Sequence, residues 1–277
     1  MLITSSQVDT SMQTAAKARD AKRGKPKPAA DRETVKSILA IDIGGTSIKA
    51  LASGHHTPIK IASGKRMTPA RMVEAILEKT AEWSFDAVSI GYPGLVGAQG
   101  PHSEPLNLGP GWVGFDFAAA FGRPVKFLND AAMQALGSYG GGRMLFLGLG
   151  TGLGSTLITD NVIVPLELGE LSLGDDDKLG LVVGRDGLKR IGKNPWRKVV
   201  RAMLESFARA FVVDYIVLGG GNAKLLKELP SGVRLGHNLT AFRGGFRLWN
   251  LDDVQTLSPH GEEAPVESHR TPDWRVV

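Results

Sequence analysis

Val125-Lys126-Phe127-Leu128-Asn129-Asp130-Ala131-Ala132 is the stretch from which the rest of the chain can be ordered. A short run, apolar but for one lysine, ends in Asn129-Asp130, and the helical-looking Ala131–Tyr139 follows at once. That puts a carboxylate at the carboxyl end of a strand, where open α/β sheets form their ligand crevices. A glycine-turned hairpin stands on either side in the sequence. The first is Ile38–Leu51 with Asp42-Ile43-Gly44-Gly45-Thr46 at its turn, and the second is Met144–Thr159 with Gly148-Leu149-Gly150-Thr151-Gly152-Leu153-Gly154. Setting Gly44 on Gly150 places Asp42 opposite Gly148, the pattern of an internal duplication in which the first copy alone keeps an acid.

Working outward, Ile38–Ile43, Ser47–Leu51 and Ile59–Ser63 read as three strands. Thr68 caps a helix that opens on Pro69 and carries Met72, Val73, Ile76 and Leu77 at helical spacing. Ala87–Ile90 is the next buried strand. Gly91–Gly114 is a long glycine- and proline-rich loop, a length that usually signals function or disorder. Within it, Asn107 and Trp112 suit a polyol, or Trp112 anchors the loop on the core. After the second hairpin, Arg185–Gly192 and Pro195–Phe211 read as helices and Tyr215–Leu218 as a strand ending in Gly219-Gly220-Gly221-Asn222. A helix through Ala223–Leu229, a strand at Val233–Leu235 and a closing helix from Gly244 complete the expectation. The domain plan is a basic disordered tail at 1–36, an N-terminal lobe at 37–138, a C-terminal lobe at 139–251 and a polar acidic tail at 252–277.

The 277 residues suffice for one large or two smaller cores. With no cysteine, disulfides and cysteine-ligated zinc are excluded. No stretch reaches the ~20 apolar residues of a membrane span, so a cytoplasmic protein without a membrane partner is expected. Residues 1–36 hold eight Lys or Arg against four acids, and residues 252–277 hold two against six. The tails therefore cancel, leaving the net +5 on the body. That excess is too small for a dedicated nucleic-acid surface.

Phosphoryl transfer requires alignment and charge neutralisation more than covalent help. Glycine turns let backbone N–H groups approach phosphate oxygens. Asp42 is suited to Mg²⁺ through its water shell, and the Thr46 and Thr151 hydroxyls can donate to phosphate. Asp130 is placed to accept the proton of an attacking hydroxyl while Asn129 orients it. The alternative for Asn129-Asp130 is a plain helix cap.

Asp42–Thr46 with Lys49, Gly91-Tyr92-Pro93-Gly94, Leu128–Ala131, Gly148–Gly154 and Leu218–Gly221 resemble, in the same order, the ROK family of sugar kinases. The likeness runs from about Ser37 to Asn250. It implies the two-lobed α/β fold of the actin, hexokinase and Hsp70 superfamily (ribonuclease H-like), with the active site between the lobes. Gly184–Leu188, Gly192–Trp196 and Gly219–Lys224 resemble the polyphosphate glucokinase branch. By that resemblance Asp130 is the base for a sugar 6-hydroxyl, and Asn107, Asn129 and Glu167 bind other hydroxyls. Gly44, Gly45, Thr46, Lys49, Gly150, Thr151 and Gly152 hold phosphates, and Gly219, Gly220 and Gly221 lie beside a nucleoside. Mg²⁺ and either ATP or polyphosphate are the implied cofactor and donor, with no zinc loop and with a homodimer by analogy.

One residue departs from the family pattern. Where ROK proteins usually show Glu-x-Gly-His, this chain has Glu167-Leu168-Gly169-Glu170, exchanging a side chain that can donate for one that only accepts when ionised. Leu171–Leu181, with Asp175-Asp176-Asp177, reads as a solvated acidic loop. A hexose kinase acting on glucose is the leading expectation. A sugar sensor without turnover, or a kinase for mannose or an amino sugar, are the alternatives that Glu170 keeps open.

Overall fold

Strand β1 (Ile38–Ile43) is buried along almost its whole length, as a run of Ile, Leu and Ala in the middle of a sheet must be. It pairs antiparallel with β2 (Ser47–Ala52), and β2 pairs antiparallel with β3 (Ile59–Ala62). On its other side it runs parallel to β4 (Ala87–Tyr92). The computed structural model describes residues 37–97, 99–174, 177–237, 239–250 and 274–277, so the basic 1–36 stretch lies outside the described residues.

Helix α1 (Pro69–Lys79) carries the chain from β3 to β4, with Thr68 Oγ1 accepting from the Arg71 amide and Met72, Val73 and Ile76 buried. After a small ladder of β5 (Val96–Gly97) on β6 (Gly100–Pro101), short helix α2 (Phe117–Phe121) leads to β7 (Val125–Asn129), parallel to β4. The first sheet is ordered β3-β2-β1-β4-β7. Helix α3 (Asp130–Ser138) starts on the residue after β7.

The second sheet repeats this order. β8 (Met144–Leu149), β9 (Leu153–Thr159) and β10 (Val162–Leu166) form an antiparallel meander, and β11 (Tyr215–Gly219) and β12 (Val233–Leu235) run parallel beside β8. Between β10 and β11 come α4 (Leu179–Val183), α5 (Arg185–Ile191) and the 19-residue α6 (Lys193–Phe211). Helix α7 (Thr240–Arg247) follows β12. The inferred duplication is thus matched in topology. Of the acidic stretch 252–277, residues 252–273 lie outside the described ones, and β13 (Arg275–Val276) pairs with β10 at the sheet edge.

The two helices that close the repeats change sides. α3 follows the first sheet, yet Met133, Ala132 and Leu136 pack with Phe146, Met144 and Ile158 of the second. α7 follows the second sheet, yet Phe242 and Phe246 pack with Ile38, Ala40 and Leu51 of the first. Ser89 in β4 fixes that docking: its hydroxyl donates to Gly245 O at 2.6 Å and accepts from Trp249 Nε1 at 2.9 Å. Where α3 and α7 cross, backbone touches backbone. A Cβ added at Gly244 would overlap Met133 O, and one at Gly137 would overlap Thr240 O.

Several expectations need correction. The helix expected at Ala223–Leu229 is a 3₁₀ turn, Ala223–Leu225, because Leu226 is extended and Pro230 disfavours helix at Leu229. The closing helix starts at Thr240 rather than Gly244, since its glycines are interior contact points and not breakers. β10 and α4 arise where no element was expected.

Candidate active site

The parallel strands bring the first group of site residues to one edge. Asp42 stands level with Gly91, and Tyr92 with Asn129, across β1, β4 and β7. The β1–β2 turn is tightened by Gly44 N–H donating to Ser47 O at 3.1 Å and held from below by Ser63 Oγ donating to Gly44 O at 2.6 Å. A Cβ at Gly44 would come within 2.9 Å of Ser47 O, which is why glycine is needed there. Gly45 lies under Asn107, 3.1 Å from its Cβ were a side chain added, so the loop residue and the phosphate turn meet. Thr46 and Lys49 are exposed, and Lys49 is cross-strand to Asp42.

Of the two readings of Trp112, the structure selects the anchor. Its ring is fully buried against Tyr92 and Phe117, Nε1 donates to Gly109 O at 2.7 Å, and its amide is received by Glu104. It is therefore not available to a sugar.

Asn129 and Asp130 join the two sheets. Asn129 Oδ1 accepts from the Ala131 and Ala132 amides, and Nδ2 donates to Gly94 O at 3.3 Å. The cap reading is thus correct for Asn129, whose amide is spoken for in this conformation. Asp130 Oδ1 also accepts from the Ala131 amide, at 2.8 Å. The next residue, Ala131, packs on the second hairpin, since a Cβ added at Gly154 would stand 2.9 Å from the Ala131 Cβ. Asp130 thereby opens a helix whose next residue is seated on the second glycine hairpin.

Burial, then repulsion from Asp42 and more weakly from Glu167, push the Asp130 carboxyl up to about 7, against the pull of the Ala131 amide. Burial likewise raises Asp42, opposed by Lys49. Glu167 is raised by desolvation and by Glu170. Its position comes from Ser155, a buried hydroxyl that donates to Leu166 O at 2.7 Å and accepts from the Leu168 amide at 3.0 Å. Glu170 Oε2 is ion-paired with Lys178 Nζ. The described residues of the segment read as a solvated acidic loop are largely exposed, and they are tied down at its ends: Leu179 N–H donates to Leu171 O at 2.8 Å, and Asp177 pairs with Arg190. Asp175 and Asp176 lie outside the described residues.

The second hairpin gathers a further group. Gly150, Thr151 and Gly152 turn the chain from β8 into β9, just beyond Gly148, which is level with Gly219 of β11. Asn222 Nδ2 donates to Gly150 O at 2.9 Å, and Gly220, at φ +81°, seats its backbone on Leu149. A Cβ at Gly221 would meet open space. Arg185 donates its backbone N–H to Gly150 O and Thr151 O and its guanidinium to Thr151 Oγ1 at 2.9 Å. In the sequence, Arg185 stands out only within the Gly184–Leu188 motif. A cation opening a helix after Gly184 is the signal that would have marked it.

Half-buried hard-oxygen donors fit Mg²⁺. Asp42 and Asp130 are an acidic pair, with Lys49 acting on Asp42, and a cation bound mostly by water and phosphate suits one or two carboxylates. Among the described residues no three His, Asp or Glu cluster closely enough to cage a metal by themselves.

Two sheets of the same strand order define a class, the two-lobed α/β fold of the actin and hexokinase type. More particularly, residues 38–165 match the ROK family. It is 28% identical over 204 residues to the polyphosphate glucokinase of Mycobacterium leprae, covering 66% of this chain and 63% of that protein. The polyphosphate glucokinase of Mycobacterium tuberculosis is also 28% identical, over 66% of this chain and 77% of its own. The inorganic polyphosphate/ATP-glucomannokinase of Arthrobacter sp. strain KM superposes with a TM-score of 0.63 at 24% identity, covering 79% of this chain and 98% of that one. The chain spans less than two thirds of the M. leprae relative.

Removing the guanidinium beside Thr151 in Arg185→Met should raise KM for the phosphoryl donor about tenfold, the worth of one charge-assisted contact, with KM for the sugar unchanged. Steady-state titration of each substrate separates the two.

Proposed function

We propose that the protein is a hexose kinase that transfers a phosphoryl group from polyphosphate or ATP to the 6-hydroxyl of glucose. The observation that carries this reading is the place of Asp130: it opens α3 directly after β7, half-buried and close enough to Asp42 to feel its charge, and its neighbour Ala131 packs on Gly154 of the second glycine hairpin. Bound Mg²⁺ would supply neutralisation of the charge on the donor phosphates. Asp42 is the residue to hold it, through water. The turns at Gly44–Thr46 and Gly150–Gly152 present amides and hydroxyls to those phosphates, with Arg185 behind the second turn.

Asp130 receives the proton of the attacking hydroxyl. Glu167, fixed by Ser155, takes another sugar hydroxyl as acceptor, and Asn107 stands where the sugar and the first phosphate turn meet. Approach of the lobes about the α3–α7 crossing would exclude water, which otherwise competes as acceptor. The substrates of this reading are small molecules, a sugar and a phosphoryl donor, and the enzyme is read as cytoplasmic. Among the described residues no helix is long and apolar enough to cross a membrane.

The test is glucose 6-phosphate formation by the purified protein with Mg²⁺, run with ATP and with polyphosphate, and with mannose and glucosamine as rival acceptors. Turnover with either donor establishes the activity and its specificity. Sugar binding without turnover by any pair would instead favour a sensor. Because the base must be ionised, kcat/KM should rise with pH through about 7 and level above it. A profile flat from pH 5 to pH 9 would remove Asp130 from that role.

A further inference from the structure

Glu170 sits two residues beyond Leu168, whose amide is clamped by Ser155, so its backbone is fixed at the sugar end of the cleft next to Glu167. A second carboxylate there is a liability for a neutral sugar, since it adds charge without adding a donor. The structure answers that liability with Lys178. The two residues are eight apart in sequence, and the hairpin between them brings them together. Leu179 N–H donates to Leu171 O at 2.8 Å, Ser172 and Lys178 form an antiparallel bridge, and Asp177 ties the hairpin to Arg190 of α5. Gly180 rests on Gly169 so closely that a Cβ there would stand 3.1 Å from Gly169 O. Every one of these contacts delivers the ammonium of Lys178 to Glu170.

We infer that Lys178 is a positioning residue for sugar selection: paired with Glu170, it cancels that carboxylate's charge, aims it as a hydroxyl acceptor, and turns the cleft against cationic amino sugars in favour of neutral hexoses. This rests on the reading of the site as a hexose site. It also removes the reason for which Glu170 alone left an amino sugar open. A bare Glu170 would attract an ammonium on the sugar, whereas a Glu170 already paired with Lys178, even in a bridge open to solvent, attracts it less.

The test measures dissociation constants for glucose and glucosamine by calorimetry on the full chain, without donor, at a pH where the glucosamine amine is protonated. In Lys178→Met the preference for glucose over glucosamine should fall about three- to tenfold, on the order of one partly screened charge contact. Lys178→Arg should keep the wild-type preference. The double variant Glu170→Gln with Lys178→Met should lose the new affinity for glucosamine. KM for the phosphoryl donor should not move in any of them. An unchanged sugar preference in a Lys178→Met protein of wild-type melting temperature would overturn the inference, as would failure of Arg to rescue or failure of the wild type to bind either sugar. Binding with this pattern but without turnover would overturn only the kinase reading.

Discussion

Asp130→Asn is expected to lower kcat by about two to four orders of magnitude, the usual worth of a positioned general base, while the sugar still binds. The same substitution should make the protein more stable at neutral and alkaline pH. Folding places this carboxyl in a buried pocket beside Asp42 and lifts its pKa to about 7, far above its value of about 4 in an unfolded chain. Below about pH 4 both states hold the proton, and burial carries no penalty. As pH rises from there to about 7 the unfolded state alone gives up its proton, so stability drains away, and above about 7 the loss is complete. The shift of about three units bounds that loss at roughly 4 kcal/mol. Asparagine cannot ionise, so its advantage should be absent near pH 4 and full at pH 8. Paired melting curves and initial rates at both pH values test the two halves together. Near-normal turnover, or an Asn variant no more stable at pH 8 than at pH 4 relative to wild type, would show that Asp130 is not the strained base described here.

The second large effect lies away from the chemistry. Gly244→Ala puts a methyl group into the backbone of α3, where Met133 O and the Gly137 amide leave no room. No side chain can swing aside, so the helices must separate along a contact that also carries Phe242 and Phe246 into the first core. Overpacking against main chain costs about 3 kcal/mol or more, and for a protein of this size that is a fall in melting temperature of about 10 °C. Gly137→Ala offends the same crossing from the other side, so the double variant should lose much less than the sum of the singles. Additive losses would place the two glycines in separate contacts.

The sequence disclosed the central strands and both hairpins because buried β-strands write themselves as short, almost wholly apolar runs closed by glycine turns, as in Ile38–Ile43 and Met144–Leu149. It disclosed Asn129-Asp130 as a joint because strand and helix periodicities abut there. What it concealed were features set by distant partners. Gly244 and Gly245 carry the local signature of a helix breaker, and only Met133, Ala40 and Ser89 explain why they sit inside a helix. Trp112 could not choose between ligand and core from its neighbours in sequence; burial against Tyr92 and Phe117 chose for it. Lys178 was hidden among three aspartates, and the hairpin that turns it onto Glu170 has no apolar period to betray it.

The exchange of α3 and α7 has a consequence for ancestry as well as for folding. Neither repeat owns the helix that roofs its own sheet, so a chain cut at the exposed Gly140–Gly142 turn would give two halves, each with a bare face that fits the other's outgoing helix. A primordial protein with one such repeat would have had the same bare face and the same spare helix. It could have solved both by clasping a twin, and fusion of the two genes would then have made the embrace permanent, leaving one copy free to keep its acid at position 42 and the other to drift to Gly148.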